Sequence, residues 1–247
     1  MEISTNTGGW ATGTGLCIAM AAATAAPAMG GNLVLDAQDR SISATIPAVN
    51  GVPADAVSET IEAEDFGPFN AMLDEVVDIG PPFSQLSTST SSQNSSFGVQ
   101  GSDYVISAAG SAAYTSVGVG QITFSQSDFE LTFTLNSVTD YELTGTGTRR
   151  DGAGGAGGFG VRLFEGVDFV FDAIVFNTFA TADSGPDFDG EIDVIDLAEA
   201  GQLQPGQYTF RANAGVSGGV NGGQVVPGAY DVELLSLIHI SEPTRPY

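Results

Sequence analysis

The sequence predicts an all-β protein: an antiparallel β-sandwich of the jelly-roll or Ig-like kind, with little helix apart from an N-terminal leader. Three observations carry this expectation. Between Phe129 and Leu135, the apolar Phe129, Leu131, Phe133 and Leu135 alternate with Glu130, Thr132 and Thr134. A period of two marks a half-buried strand. Short segments of this kind recur between turn signals with no helical stretch separating them, the pattern of an antiparallel sandwich. The 33 glycines, with abundant Ser, Thr and Ala, suit turns and slim strands better than long helices.

The elements follow in chain order. Arg40 to Ile46 alternates as an early strand, Pro47 to Ser58 is a loop, and Glu59 to Glu64 is a short acidic strand. Asp65 to Phe69 reads as a turn and Phe69 to Ile79 as an extended run. Helix competes over Ala71 to Val77, but the flanking Gly-Pro pairs oppose it. The Ser/Thr/Asn-rich stretch Gln85 to Ser96 is either a loop or a polar outer strand facing water on both sides. Tyr104 to Ala109 and Ala113 to Phe124 are strands whose small residues can lie flat beneath a neighbouring sheet.

After Phe129 to Leu135 come Tyr141 to Thr148, a glycine-rich hairpin region, and Gly160 to Glu165. Val167 to Phe176 is almost continuously apolar, as in a strand covered on both sides. Glu191 to Leu197 alternates again. At Pro205-Gly206 a type II turn is expected, with Gly206 supplying positive φ. The strand after it turns Tyr208, Phe210 and Ala212 inward and Gln207, Thr209 and Arg211 outward. Tyr230, Val232 and Leu234 are the inward residues of the closing strand.

The two ends read differently from the body. Gly15 to Met29 is an apolar stretch too short to span a bilayer, and Ala26-Pro27-Ala28 places small residues where a signal peptidase looks. Residues 1–28 are therefore read as a signal peptide, although no Lys or Arg precedes Arg40. Leu16, before Cys17, excludes a lipoprotein. Residues 236–247, containing the single histidine (His239), resemble translated sequencing-adapter read-through and are read as a non-native tail. Residues 29–235 are then one domain, with 122–235 its best-defined core. With 42% hydrophobic residues the chain has enough apolar material for a core.

Charge and composition narrow the chemistry. Thirty acidic residues stand against six basic ones, with no lysine, for a formal net charge of -24. Such a surface repels phosphate backbones and anionic lipid, so nucleic acid is excluded as a partner. The body between the two ends has no His, Lys or Cys. That removes the Ser-His-Asp relay, His-ligated zinc, Schiff bases and thiol nucleophiles, and the protein is read as no enzyme. Cys17 alone cannot form a disulfide within the chain.

Two motifs remain. Gly152 to Gly157 matches G-x-G-x-x-G, but the next segment alternates like a strand where a dinucleotide site needs a helix N-terminus, so a hairpin loop is expected. Asp187, Asp189, Asp193 and Asp196 echo positions three, five, nine and twelve of a calcium loop around Gly190. Position one is Gly185 and the twelfth is Asp, so the ligand set is incomplete. Calcium is the one cofactor the letters suggest. Sugar rings stack on exposed aromatics, and with Trp10 in the leader, Tyr104, Tyr114 and Tyr141 are the candidate platform. Burial is the ordinary fate of strand tyrosines.

The runs FELTFTLNSVTDYELTGTG, LQPGQYTFRANA and AYDVELL, with EDFGPFNAML and SSQNSS before them, resemble bacterial PEP-CTERM proteins. These are exported and anchored by exosortase-type systems. The Pro-Glu-Pro signal, apolar helix and basic tail of that family are absent from this chain. The resemblance implies a secreted or cell-surface matrix protein of a bacterium, held to the membrane only through the missing anchor. Its expected role is structural or adhesive, with extracellular polysaccharide or matrix components as partners. A secreted carbohydrate-binding, lectin-like module is the alternative.

Overall fold

A computed structural model describes residues 32–47, 56–78, 86–100, 103–115, 123–150, 155–176, 192–218 and 225–237. Residues 1–28, read above as a signal peptide, lie outside them. The described chain is all-β, built of twelve strands in two antiparallel six-stranded sheets. Sheet A orders β2 (Val57–Glu62), β1 (Leu33–Ile46), β6 (Thr123–Leu135), β11 (Gly206–Gly218), β8 (Gly155–Glu165) and β9 (Asp168–Phe176). Sheet B orders β10 (Ile192–Leu203), β7 (Thr139–Arg150), β12 (Val225–Leu237), β5 (Asp103–Thr115), β4 (Leu86–Gln100) and β3 (Phe69–Asp78). Strands from both halves of the chain share each sheet: β1 lies against β6, and β12 lies between β7 and β5.

Alternation produces the strands, and burying one side of each produces the sandwich. Phe129, Leu131, Phe133 and Leu135 are all buried, as are Tyr208, Phe210 and Ala212, while Gln207 and Arg211 are exposed. The rings interlock at the centre. Phe129 meets Phe210 edge-on at 5.8 Å, and Phe133 stacks on Tyr208 at 5.9 Å. Phe159 lies so close over Gly147 of β7 that a Cβ there would come 2.0 Å from the ring. A smaller apolar cluster of Ile42, Ala44, Phe69, Ala71 and Leu73 closes the β1–β3 end. Over Ala71 to Val77 the chain is strand, with Ala71, Leu73 and Val77 buried and Met72 and Val76 exposed.

The Ser/Thr/Asn-rich stretch departs from both readings of it. It is β4, and its inner face (Ser87, Ser89, Ser91, Gln93 and Ser95) is buried. Thr123, Ser125 and Ser127 of β6 face it across the sandwich, also buried. Ser89 Oγ donates to the Phe124 carbonyl at 2.8 Å; Ser125 Oγ donates to the Thr90 carbonyl, and Gln93 Nε2 to that of Asp128. A serine can touch the facing backbone only if the sheets approach well inside their usual spacing of about 10 Å. Small side chains allow that approach, and facing carbonyls supply the hydrogen bonds that burial requires. Ala108 and Ala112 of β5 are buried in the same way.

Other differences have physical causes. Tyr104 to Ala109 belongs to one continuous strand running to Thr115, and Phe124 belongs to β6. β7 and β8 lie in different sheets, so the glycine-rich segment joins sheets and is no hairpin. The same holds at Pro205-Gly206, which links β10 of sheet B to β11 of sheet A. Gly206 opens β11 and has no positive φ. Among the described glycines the left-handed one is Gly166 (φ 61°), at the turn between β8 and β9, where a tight hairpin requires it. β9 is an edge strand, with Phe169 57% exposed, and so is not covered on both sides. Tyr230, Val232 and Leu234 lie on β12, whose backbone alone is described and runs to Leu237.

Candidate functional site

The outer face of sheet A carries the most organised polar surface among the described residues. Because even positions of β11 and of β1 from Arg40 onward, past its bulge, and odd positions of β6 and β8 point into the sandwich, their neighbours point out. Register then lines these neighbours up. Asp39 pairs with Glu130, Glu130 with Arg211, and Arg211 with Arg162. One step along the strands, Ser41 pairs with Asp128, Asp128 with Asn213, and Asn213 with Gly160. A tall charged row thus stands beside a row of shorter groups ending in glycine. The step between them is an open groove of about 340 Å³, lined by side chains of both rows.

The charges in the groove are not evenly matched. Arg211 Nε lies 2.7 Å from Glu130 Oε2, an ion pair half open to water. Asp128 sits opposite Asn213, with Asp39 and Glu130 as acidic neighbours. Burial pushes its carboxyl above the usual range, the two neighbouring carboxylates push the same way, and a hydrogen bond from Gln126 opposes them. Asp128 is therefore a partly desolvated acceptor.

On the side away from Asp128, the charged row meets aromatic rings. The Arg211 guanidinium lies 5.3 Å over the Phe164 ring, and Phe164 packs on Phe169 at 4.9 Å. Phe164 and Phe169 are cross-strand partners and share the outer face. The sequence offers Tyr104, Tyr114 and Tyr141 as an aromatic surface. All three are buried, at 5%, 1% and 5% exposure. Desolvation raises all three phenols, Tyr114 to about 12. The rings that reach the surface are instead Phe124 of β6, 48% exposed, and Phe169 of the β8–β9 hairpin, 57% exposed and packed on the half-buried Phe164; the signal for the hairpin pair was Gly166 between two phenylalanines.

A second polar centre is internal. Arg40, on the inward side of β1, is buried at 1% exposure. Its Nε donates to Gln38 Oε1 at 2.7 Å, one terminal nitrogen to Ser95 Oγ at 3.2 Å, and the other to the Asp65 carbonyl. The guanidinium lies 4.8 Å from the Phe97 ring centre and 5.6 Å from that of Phe69. Burial lowers its pKa to about 10, Asp65 pulling the other way, so it remains a cation at neutral pH. It pins β1 to β4 and to the turn before β3. Its role is structural.

Of the calcium candidates, Asp187 and Asp189 lie outside the described residues. Asp193 and Asp196 are on β10, an extended segment rather than a loop, and Asp196 is exposed. Among the described residues no three His, Cys, Asp or Glu side chains gather to hold a metal ion. In the G-x-G-x-x-G stretch, residues 152–154 lie outside the described set, and from Gly155 the chain is strand β8, with no helix N-terminus to meet a pyrophosphate.

No protein-family model matches the chain, and no curated protein matches it.

Proposed function

We propose that this is an exported, non-enzymatic surface or extracellular-matrix protein of a bacterium, with a structural and adhesive role. The observation that carries the reading is the outer face of sheet A. There, a groove with donors and acceptors adjoins the half-buried Phe164 and the exposed Phe169 on a molecule of net charge -24. The interior is filled by interlocked rings and by serines of which several bond to the facing sheet, so the outer face is what this reading assigns to contact. The resemblance to PEP-CTERM proteins and the signal-like residues 1–28 support export. The acidic coat favours solubility outside the cell, and cations can bridge it to anionic polysaccharide.

Export is tested by protease shaving of intact bacteria carrying the full gene, with the adhesion of a deletion strain as the functional readout. Surface digestion and weaker adhesion are expected; an uncleaved leader and a protease-resistant pool inside the cell would refute export. Cation bridging and the calcium candidates are tested by melting curves with and without calcium. A raised midpoint supports them, and identical midpoints remove them. The lectin-like alternative is favoured by one specific observation, the pairing of the groove with Phe164 and Phe169.

A further inference from the structure

From the outer face of sheet A we infer a binding site for a short neutral oligosaccharide, lying across the strands from Ser41 and Asp128, past Arg211, to the Phe164–Phe169 pair. This deepens the adhesive reading by naming a ligand class, and it rests on that reading.

Four features of the face select that ligand. First, acceptors and donors adjoin across the groove: the Asp128 and Asp39 carboxylates on the β1–β6 side accept, the Arg211 and Arg162 guanidinia on the β11–β8 side donate, and Asn213 does both. Vicinal hydroxyls, each donor and acceptor, match such a mixture, whereas a purely anionic or cationic ligand would meet like charge. Second, the exposed Phe169 ring stands on the same face, beyond the Arg211–Phe164 stack. An aromatic face gives a sugar's C–H side something to cover.

Third, the alternatives fit worse. The acidic groups do not converge into a metal-holding set among the described residues, and the two arginines would repel a cation. The net charge of -24, with three carboxylates in the groove, disfavours phosphorylated or uronic ligands. Fourth, the length suits an oligomer. From β1 to β9 there are four inter-strand steps (β1, β6, β11, β8, β9). At about 4.8 Å each they span roughly 19 Å. Backbone register fixes which positions adjoin, and Glu130 and the Phe164 ring hold the Arg211 guanidinium, so that part of the site is preorganised.

The test uses the full chain on an array of neutral oligosaccharides, including gluco-, manno-, galacto- and xylo-oligomers of plant, algal and bacterial origin. Alginate serves as the anionic comparison. Binding to at least one neutral series is expected, unchanged by EDTA and not displaced by alginate. Asn213→Ala, Asp128→Asn and Phe169→Ala should each weaken it about tenfold, the loss expected for one hydrogen bond to a charged group or one stacking ring. Met72→Ala, on the exposed side of β3 in the other sheet, should leave affinity unchanged. Circular dichroism and urea midpoints of every variant separate lost binding from lost fold.

Silence of the wild type across the neutral series overturns the saccharide inference while leaving the export reading to the shaving experiment. Binding that survives the combined groove and Phe169 substitutions in a folded protein overturns the assignment to this face. Loss of binding in EDTA overturns it in favour of a metal-mediated contact.

Discussion

Replacing Arg40 tests how the sandwich holds a buried cation. Arg40→Ala deletes a guanidinium that donates to Gln38, Ser95 and the Asp65 carbonyl and lies between the rings of Phe69 and Phe97. Hydrogen bonds to a charged group are worth about 1.5–3 kcal/mol each, and partly buried cation–π contacts about 0.5–2 kcal/mol. Their sum overstates the loss, because desolvating the guanidinium already costs several kcal/mol, the same effect that lowers its pKa to about 10. The net cost expected for Arg40→Ala is about 3–5 kcal/mol, a large share of a domain's usual 5–15 kcal/mol. Arg40→Met fills the same channel between the rings without a charge to desolvate, and should cost no more than about 1.5 kcal/mol. The assay is urea unfolding followed by tryptophan-independent circular dichroism. With a slope of about 3 kcal/mol/M, the Ala midpoint should fall by about 1–1.7 M and the Met midpoint by under about 0.5 M. An Ala midpoint within about 0.3 M of wild type would refute the structural role, at the same slope. A Met midpoint as low as that of Ala would refute the reasoning that desolvation offsets most of the gain.

Other substitutions probe separate features. Glu75, buried on β3, has its carboxyl raised by desolvation, by a hydrogen bond with Glu59 and by the charges of Glu59 and Asp74. The folded state thus holds that proton more tightly than the unfolded chain, so this stabilisation is full below the unfolded pKa and disappears as pH rises through the folded one. Glu75→Gln should therefore melt higher than wild type at pH 8, with the gap closing toward pH 4; a gap that widens in acid would contradict it. Gly147→Ala forces a methyl against the Phe159 ring and should cost about 1–3 kcal/mol, lowering the melting temperature by roughly 2–12 °C. An unchanged melt would show that the ring can step aside. In the serine seam, Ser91 Oγ is buried with no partner among the described residues, whereas Ser89 Oγ donates to the Phe124 carbonyl. Ser91→Ala should be neutral or slightly stabilising and Ser89→Ala should cost about 1 kcal/mol, so equal urea midpoints for the two would count against the assigned hydrogen bonds.

Much of the scaffold was legible because strand alternation is a local property. The inward residues of β6 and β11 follow from period two alone, since a side chain's face depends only on its position along an extended backbone. Composition likewise limited the chemistry, because an absent residue type stays absent in any fold. The candidate site was not legible. Asp39, Glu130, Arg211 and Arg162 become neighbours through pairings between strands far apart in the chain, and nothing local to any of them announces its partner.

What the sequence by itself determined, then, is that each strand has two faces and which residues share one. Only the tertiary structure decided which face meets water where polarity does not choose. The β4 serines show why: a hydroxyl is satisfied equally by water or by a facing carbonyl, so its burial depends on how closely the sheets approach. Arg40 is buried for a related reason, because Gln38, Ser95, the Asp65 carbonyl and two rings together replace its water, and they come from three separate segments. Tyr104, Tyr114 and Tyr141 are inside because they occupy inward positions on β5 and β7, both interior strands of their sheet, whereas Phe169 stands outward on β9, at the edge of the other.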